Sequence, residues 1–200
     1  MRSTGSALPR PIRIVGSVLI ALTLLLAAAS CGSRDDSSSE PRLASQVLPA
    51  TDVGIAAGSA TTSSSSADLD SYYAQVRQLG ATWVRVDLPW SLVEPTRGSY
   101  SWADVDRTVE SAKAHGLSVI GVLAYTPPWA RLSVPRTSDK VAPANPADYG
   151  VYAGAVAAHF KGRVSAYELW NEPNIVQFFA PRVDPSLYVR MMQAAYPLVK

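Results

Sequence analysis

The chain has 200 residues, 48% hydrophobic and 17% charged, with a formal net charge of +2 and a single cysteine. No basic block stands out, so a nucleic-acid partner is not expected. One cysteine excludes a disulfide within the chain, and the length ordinarily means one domain.

At the amino terminus Arg2, Arg10 and Arg13 form a positive region, and Ile14 to Ala29 is an uncharged apolar stretch ending in the small residues Ala28-Ala29-Ser30. Residues 1–30 therefore read as a signal peptide rather than a membrane span. Cys31 follows directly and looks like the acylated cysteine of a bacterial lipobox, although Ala28 stands where leucine is typical. Lipidation at Cys31 would make the protein an exported, membrane-anchored lipoprotein without a span. Without lipidation the protein would be secreted. Residues 31–46 are polar and Ser-rich and read as a tether.

Residues 47–200 alternate between short apolar runs and amphipathic stretches. A first strand is expected over Thr51 to Ala57, and a helix over Asp68 to Leu79, stopped by Gly80. Ala81 to Leu88 alternates as a second strand, with Val84, Val86 and Leu88 on one face and Trp83, Arg85 and Asp87 on the other. After a loop, Ser101 and Asp104 have capping-box spacing before a helix marked by Val105, Val109 and Ala112. Leu117 to Ala124 is nearly all apolar and reads as a strand buried on both faces. Tyr125 to Ala144 reads as a long loop, Asn145-Pro146 starts a helix, and Val164 to Trp170 is the fourth strand. Asp184-Pro185 repeats the helix start, and Pro197 should kink or end that last helix.

Strands alternating with helices imply a parallel sheet covered by helices. A doubly wound sheet and a (β/α)8 barrel both fit. No Gly-rich phosphate loop follows the first strand, and the loops are enlarged only after strands, which suits a barrel.

The most informative string is Trp170-Asn171-Glu172-Pro173-Asn174, which sets a carboxylic acid beside a carboxamide at the end of the fourth strand. Together with Arg85, Asp87, Trp90, Val93-Glu94-Pro95, Gly98, Tyr100-Ser101-Trp102 and Tyr125-Thr126-Pro127-Pro128-Trp129-Ala130, in that order, it resembles clan A glycoside hydrolases. Family 39-type and cellulase-like family 5-type members are the most similar. The resemblance covers residues 47–200 and implies an α/β fold, a (β/α)8 TIM barrel of which about the first four β/α units are present.

It further implies a retaining O-glycoside hydrolase acting on oligo- or polysaccharides, with no cofactor. Such an enzyme needs one carboxylic acid to protonate the leaving oxygen and a carboxylate nucleophile about 5–5.5 Å away. By resemblance Glu172 is the general acid/base, Asn171 meets the sugar 2-hydroxyl, and Arg85 orients the nucleophile. Trp90, Trp129, Trp170 and Asp87 are candidate substrate-binding residues, an indole face being suited to the apolar side of a sugar ring. For the tryptophans packing is the alternative, and for Asp87 a pairing with Arg85. Glu168 reads as a barrel-lining or helix-facing structural carboxylate, and Trp83 and Trp102 as packing residues. His115 and His159 lack a neighbour at ligand spacing, so no metal site is expected.

The clan's nucleophile ends a seventh strand, and a full barrel takes roughly 250 residues. The chain therefore reads as the N-terminal half of a catalytic domain, without activity by itself and with a motive for half barrels to self-associate. The alternative is an inactive fragment or a non-catalytic, carbohydrate-binding surface lipoprotein.

Overall fold

The computed structural model describes residues 53–135 and 138–200, all within the unit Val47–Lys200. The stretches expected to be a signal peptide and a Ser-rich tether, with Cys31 between them, lie outside the described residues. Four strands alternate with helices: β1 (Gly54–Gly58), α1 (Ser66–Gln78), β2 (Trp83–Leu88), α2 (Trp90–Val93), α3 (Ala103–Ala114), β3 (Ser118–Leu123), α4 (Pro146–His159), β4 (Ala166–Leu169) and α5 (Pro185–Val199). The strands pair in parallel in the order β1-β2-β3-β4, each beside its neighbour in sequence. Among the described residues no helix is long and apolar enough to cross a membrane.

Strand register explains which side chains form the core. Val84, Val86 and Leu88 align with Val119, Gly121 and Leu123 on one face, and all but Gly121 are fully buried hydrophobic side chains. This face receives the helices. Gly121 is required there, because a Cβ would stand 2.7 Å from Leu88 Cδ1 and 3.3 Å from the Tyr167 ring. On the other face Arg85 and Asp87 align with Ile120 and Val122, and Val122 aligns with Glu168. The alternation expected for β2 is thus the division between helix-packed and concave faces.

Two helix starts follow the sequence closely. Asn145 Oδ1 accepts from the Ala147 amide at 3.0 Å, and Asp184 Oδ1 accepts from the Leu187 amide at 2.9 Å. Others differ. α1 begins earlier than expected, because Ser65 accepts from the Asp68 amide and donates to the Asp68 carboxylate at 2.7 Å. Ser101 does not cap α3: the N-cap is Trp102, and the Ser101 amide is bound to the Val93 carbonyl at 2.8 Å. Pro197 lies inside α5, which continues to Val199. It sits in the last turn, with two helical residues beyond it, and removes the hydrogen bond that an amide there would make to the Gln193 carbonyl.

Parallel strands in sequential order, each followed by a helix on the same side, are the first β/α units of a TIM barrel. The long segments after β2, β3 and β4 gather at the carboxyl ends of the strands.

Candidate active site

At the carboxyl end of the sheet the concave face becomes polar. Arg85 Nε donates to both Glu168 oxygens at 3.0 Å, and Arg85 Nη2 donates to Glu168 Oε2 at 2.7 Å. The same Nη2 donates to Asn171 Oδ1 at 2.9 Å, and Asn171 Nδ2 donates to the Tyr125 hydroxyl at 2.9 Å. A continuous chain, Glu168–Arg85–Asn171–Tyr125, therefore links β2, β3 and β4. The Glu168 carboxylate beside it holds the Arg85 guanidinium firmly protonated. Glu168 is the barrel-lining carboxylate of the two alternatives, and it, not Asp87, is the hydrogen-bonded partner of Arg85.

Asp87 lies one step further along β2, 7% exposed. Burial raises its pKa above the usual aspartate value, partly offset by the nearby Arg85 and Lys140 charges. Among the described residues its carboxylate makes no hydrogen bond. Tyr125 is pushed up to about 12, first by burial, against the lowering effect of the Asn171 hydrogen bond.

Glu172 is exposed, with no side-chain hydrogen bond among the described residues. Its backbone is left-handed, φ 49°, and so is that of Trp170, φ 75°. Such conformations are uncommon for side chains of this size and persist where the surroundings enforce them. The Trp170 amide extends the β4 ladder by bonding the Leu123 carbonyl at 3.0 Å, and its indole Nε1 donates to the Phe178 carbonyl at 2.9 Å. These two bonds hold the turn that brings Glu172 to the mouth.

The tryptophans need correction. Trp90 has no exposed surface; it stacks on Tyr152 at 5.1 Å, and its Nε1 donates to Glu94 Oε2 at 2.7 Å. Trp170 is 3% exposed and meets Tyr125, Tyr149 and Phe179 edge to face. Neither offers a ring face to a sugar, so both are packing residues rather than substrate platforms. Trp129 is partly exposed, but the Arg97 guanidinium lies 4.4 Å over its ring, and its Nε1 donates to the Glu94 carbonyl at 3.0 Å. Glu94, 3% exposed, takes hydrogen bonds at 2.7 Å from Trp90 and from the Gly98 amide, and so fastens the loop after β2.

In the sequence Tyr125 stands out only within its motif and Lys140 not at all, yet the Lys140 ammonium lies 3.9 Å over the Tyr125 ring. Tyr125 was findable as the first polar-tipped residue after an apolar strand; Lys140, in a long loop, carries no signal of its position. Among the described residues no group of three or more His, Cys, Asp or Glu side chains could hold a metal ion.

With this geometry in hand, likeness to known proteins becomes specific. The glycoside hydrolase 42 family model, described as beta-galactosidase, matches residues 63–168, slightly more than half of the chain. The chain belongs to the glycoside hydrolase 42 family. The match ends at Glu168, so Asn171 and Glu172 stand just beyond the matched residues of the family model. No curated protein matches.

Solved structures of family 39 share the fold. A family 39 glycoside hydrolase from Bacteroides cellulosilyticus is 24% identical with a TM-score of 0.57, covering 74% of this chain and 29% of its own. A family 39 β-xylosidase from Caulobacter crescentus is 20% identical with a TM-score of 0.59, covering 74% and 37%. The family 39 enzyme from Xanthomonas axonopodis pv. citri is 19% identical with a TM-score of 0.59, covering 74% and 32%. The chain thus spans about a third of the length of these structures.

Proposed function

We propose that the chain supplies the acid/base half of a retaining glycoside hydrolase acting on β-linked sugars, with Glu172 as the proton donor and acceptor. The observation that carries this is the position of Glu172. It sits on left-handed backbone at the end of β4, next to an Asn171 carboxamide already locked by Arg85. A carboxyl group held at the mouth, exposed and without a protein hydrogen-bond partner, is free to reach a leaving-group oxygen. Asn171 would bind the 2-hydroxyl and Asp87 a further hydroxyl, while Trp129 faces a separate cleft with Glu94, Arg97 and Asp148.

Retention also requires a nucleophilic carboxylate. Glu168 is engaged by Arg85 and Asp87 is buried beside it, so this reading takes the nucleophile from a later strand of the barrel. Arg85 would then serve both Glu168 and that nucleophile. The family description and the β-xylosidase among the similar structures make β-D-galactosides and β-D-xylosides the first substrates to try. Export and anchoring through Cys31 belong to the same proposal, supported by Arg2, Arg10 and Arg13, the apolar stretch and Ala28-Ala29-Ser30.

The test, on the barrel complete with the strand that supplies the nucleophile, is proton NMR of the first sugar released from aryl β-D-galactoside and β-D-xyloside. A β-anomer appearing before mutarotation supports the reading. A first-formed α-anomer, or no release from any β-glycoside, contradicts it.

A further inference from the structure

Two residues at the mouth, Tyr125 and Lys140, have no part in the reaction as proposed, yet they are fixed more tightly than its exposed acid. A guanidinium offers donors only. Arg85 Nη2 therefore dictates that Asn171 turns its Oδ1 toward β2, which sends Nδ2 toward Tyr125, where it donates at 2.9 Å. The amide orientation thus follows from the donor-only chemistry at the Arg85 end, and the Tyr125 hydroxyl, able to donate or accept, takes the role left to it. One Nδ2 proton is spent on Tyr125, and the second remains for a ligand.

The acceptor is itself immobilised. Tyr125 is 6% exposed, with Trp170 edge-on at 5.4 Å and Phe178 stacked at 6.4 Å. The Lys140 ammonium covers its ring at 3.9 Å and also pairs with Asp139 at 2.9 Å. The backbone that carries Lys140 is held as well: its carbonyl accepts from the Ala180 amide at 2.9 Å, and the Ala142 amide donates to the Ala180 carbonyl at 2.9 Å. The loop after β3 is thereby fastened to the loop after β4. A cation over an aromatic face is attracted by the negative π surface and so favours one ring position.

We propose that Tyr125, held by Lys140, is a positioning residue that fixes the Asn171 carboxamide so that its second Nδ2 proton is presented to a sugar hydroxyl. The inference rests on the glycosidase reading for its ligand, but its geometry does not. Tyr125 accepts through oxygen and keeps its own phenolic proton, which remains available at the mouth.

The experiment follows the Asn171 side-chain amide by nitrogen-15 NMR, assigned through its loss in Asn171→Asp. In Tyr125→Phe the amide protons should shift and exchange with water about tenfold faster, as expected for loss of one hydrogen bond. Lys140→Met should move them in the same direction, and Lys140→Arg, which keeps a cation over the ring, should stay near wild type. In the barrel complete with the nucleophile's strand, Tyr125→Phe should lower kcat on an aryl β-glycoside about tenfold with KM within about twofold. An unchanged Asn171 signal in a folded Tyr125→Phe protein overturns the proposal. Should that variant fail to fold, the Lys140 pair decides, and identical spectra for Met and Arg overturn it. If the wild type hydrolyses no glycoside, the functional reading fails alone, and the amide signal still decides whether Tyr125 holds Asn171.

Discussion

Asp87 and Glu168 are two carboxylates on the same concave face, and their surroundings give them opposite characters. Asp87 is buried without a hydrogen bond among the described residues, and its pKa is raised. Between the unfolded value and that raised value the folded state holds more protons than the unfolded one. Its contribution to stability is therefore fully present below the unfolded pKa and is lost as pH rises through the folded pKa. Asp87→Asn should accordingly raise the urea midpoint at pH 7 relative to wild type, and the gain should vanish near pH 3. An equal shift at both values would show that Asp87 does not titrate in this way. Glu168 instead takes three hydrogen bonds from Arg85. Glu168→Gln should cost about 1–2 kcal/mol by urea titration, since it weakens charge-assisted bonds at a half-exposed site. The alternation in β2 made both faces legible in sequence. The partner of Arg85 was not, because it lies 83 residues away and only the β2-β3-β4 register brings the two together. The burial of Trp90 and Trp170 was equally illegible, since an indole at a strand end reads the same whether it meets a sugar or another ring.

Among the elements, the contact between α4 and α5 has the least slack. A Cβ on Gly150 would stand 2.7 Å from the Ala194 carbonyl oxygen and 3.0 Å from the Ala194 Cβ, and backbone cannot step aside cheaply. Gly150→Ala should therefore destabilise by about 1–3 kcal/mol in chemical denaturation, although alanine is the better helix former. A gain in stability would mean that α5 shifts freely. Such close approach is invisible in a sequence, where a mid-helix glycine looks only like a weak point. Caps were easier where proline followed, as at Asn145 and Asp184. The Ser65 start of α1 was hidden within a run of serines, any of which fits the position. For α3, Ser101 had the right spacing but its amide is committed to the loop that Glu94 fastens.

For the molecule, the sheet divides into a polar end and an apolar end. Below the Arg85 chain the concave face carries Gly54, Trp83, Ile120 and Ala166 around a shallow concavity of about 430 Å³. β1 and β4 are the outer strands of the described sheet. Where no further strand covers them, an apolar concavity and the edges of the outer strands would favour association. The chain should show a mass that grows with concentration in analytical ultracentrifugation, and Trp83→Lys should reduce that growth. A monomer at every concentration would contradict self-association. The parallel α/β architecture was legible because helix and strand periods alternate cleanly. The choice between a barrel and a doubly wound sheet was not decided by periodicity. The sequential strand order, with helices on one face only, decides it for the barrel.

Protonation of a glycosidic oxygen by Glu172 is tested by varying how much the leaving group needs that proton. In the barrel complete with the nucleophile's strand, wild type and Glu172→Gln should be compared on aryl β-glycosides with a poor leaving group, such as phenol, and an activated one, such as 2,4-dinitrophenol. Loss of a general acid should slow the phenyl glycoside by about 10²–10⁴-fold while sparing bond cleavage in the dinitrophenyl glycoside. Equal losses on both, or no loss on either, would contradict the assignment of Glu172.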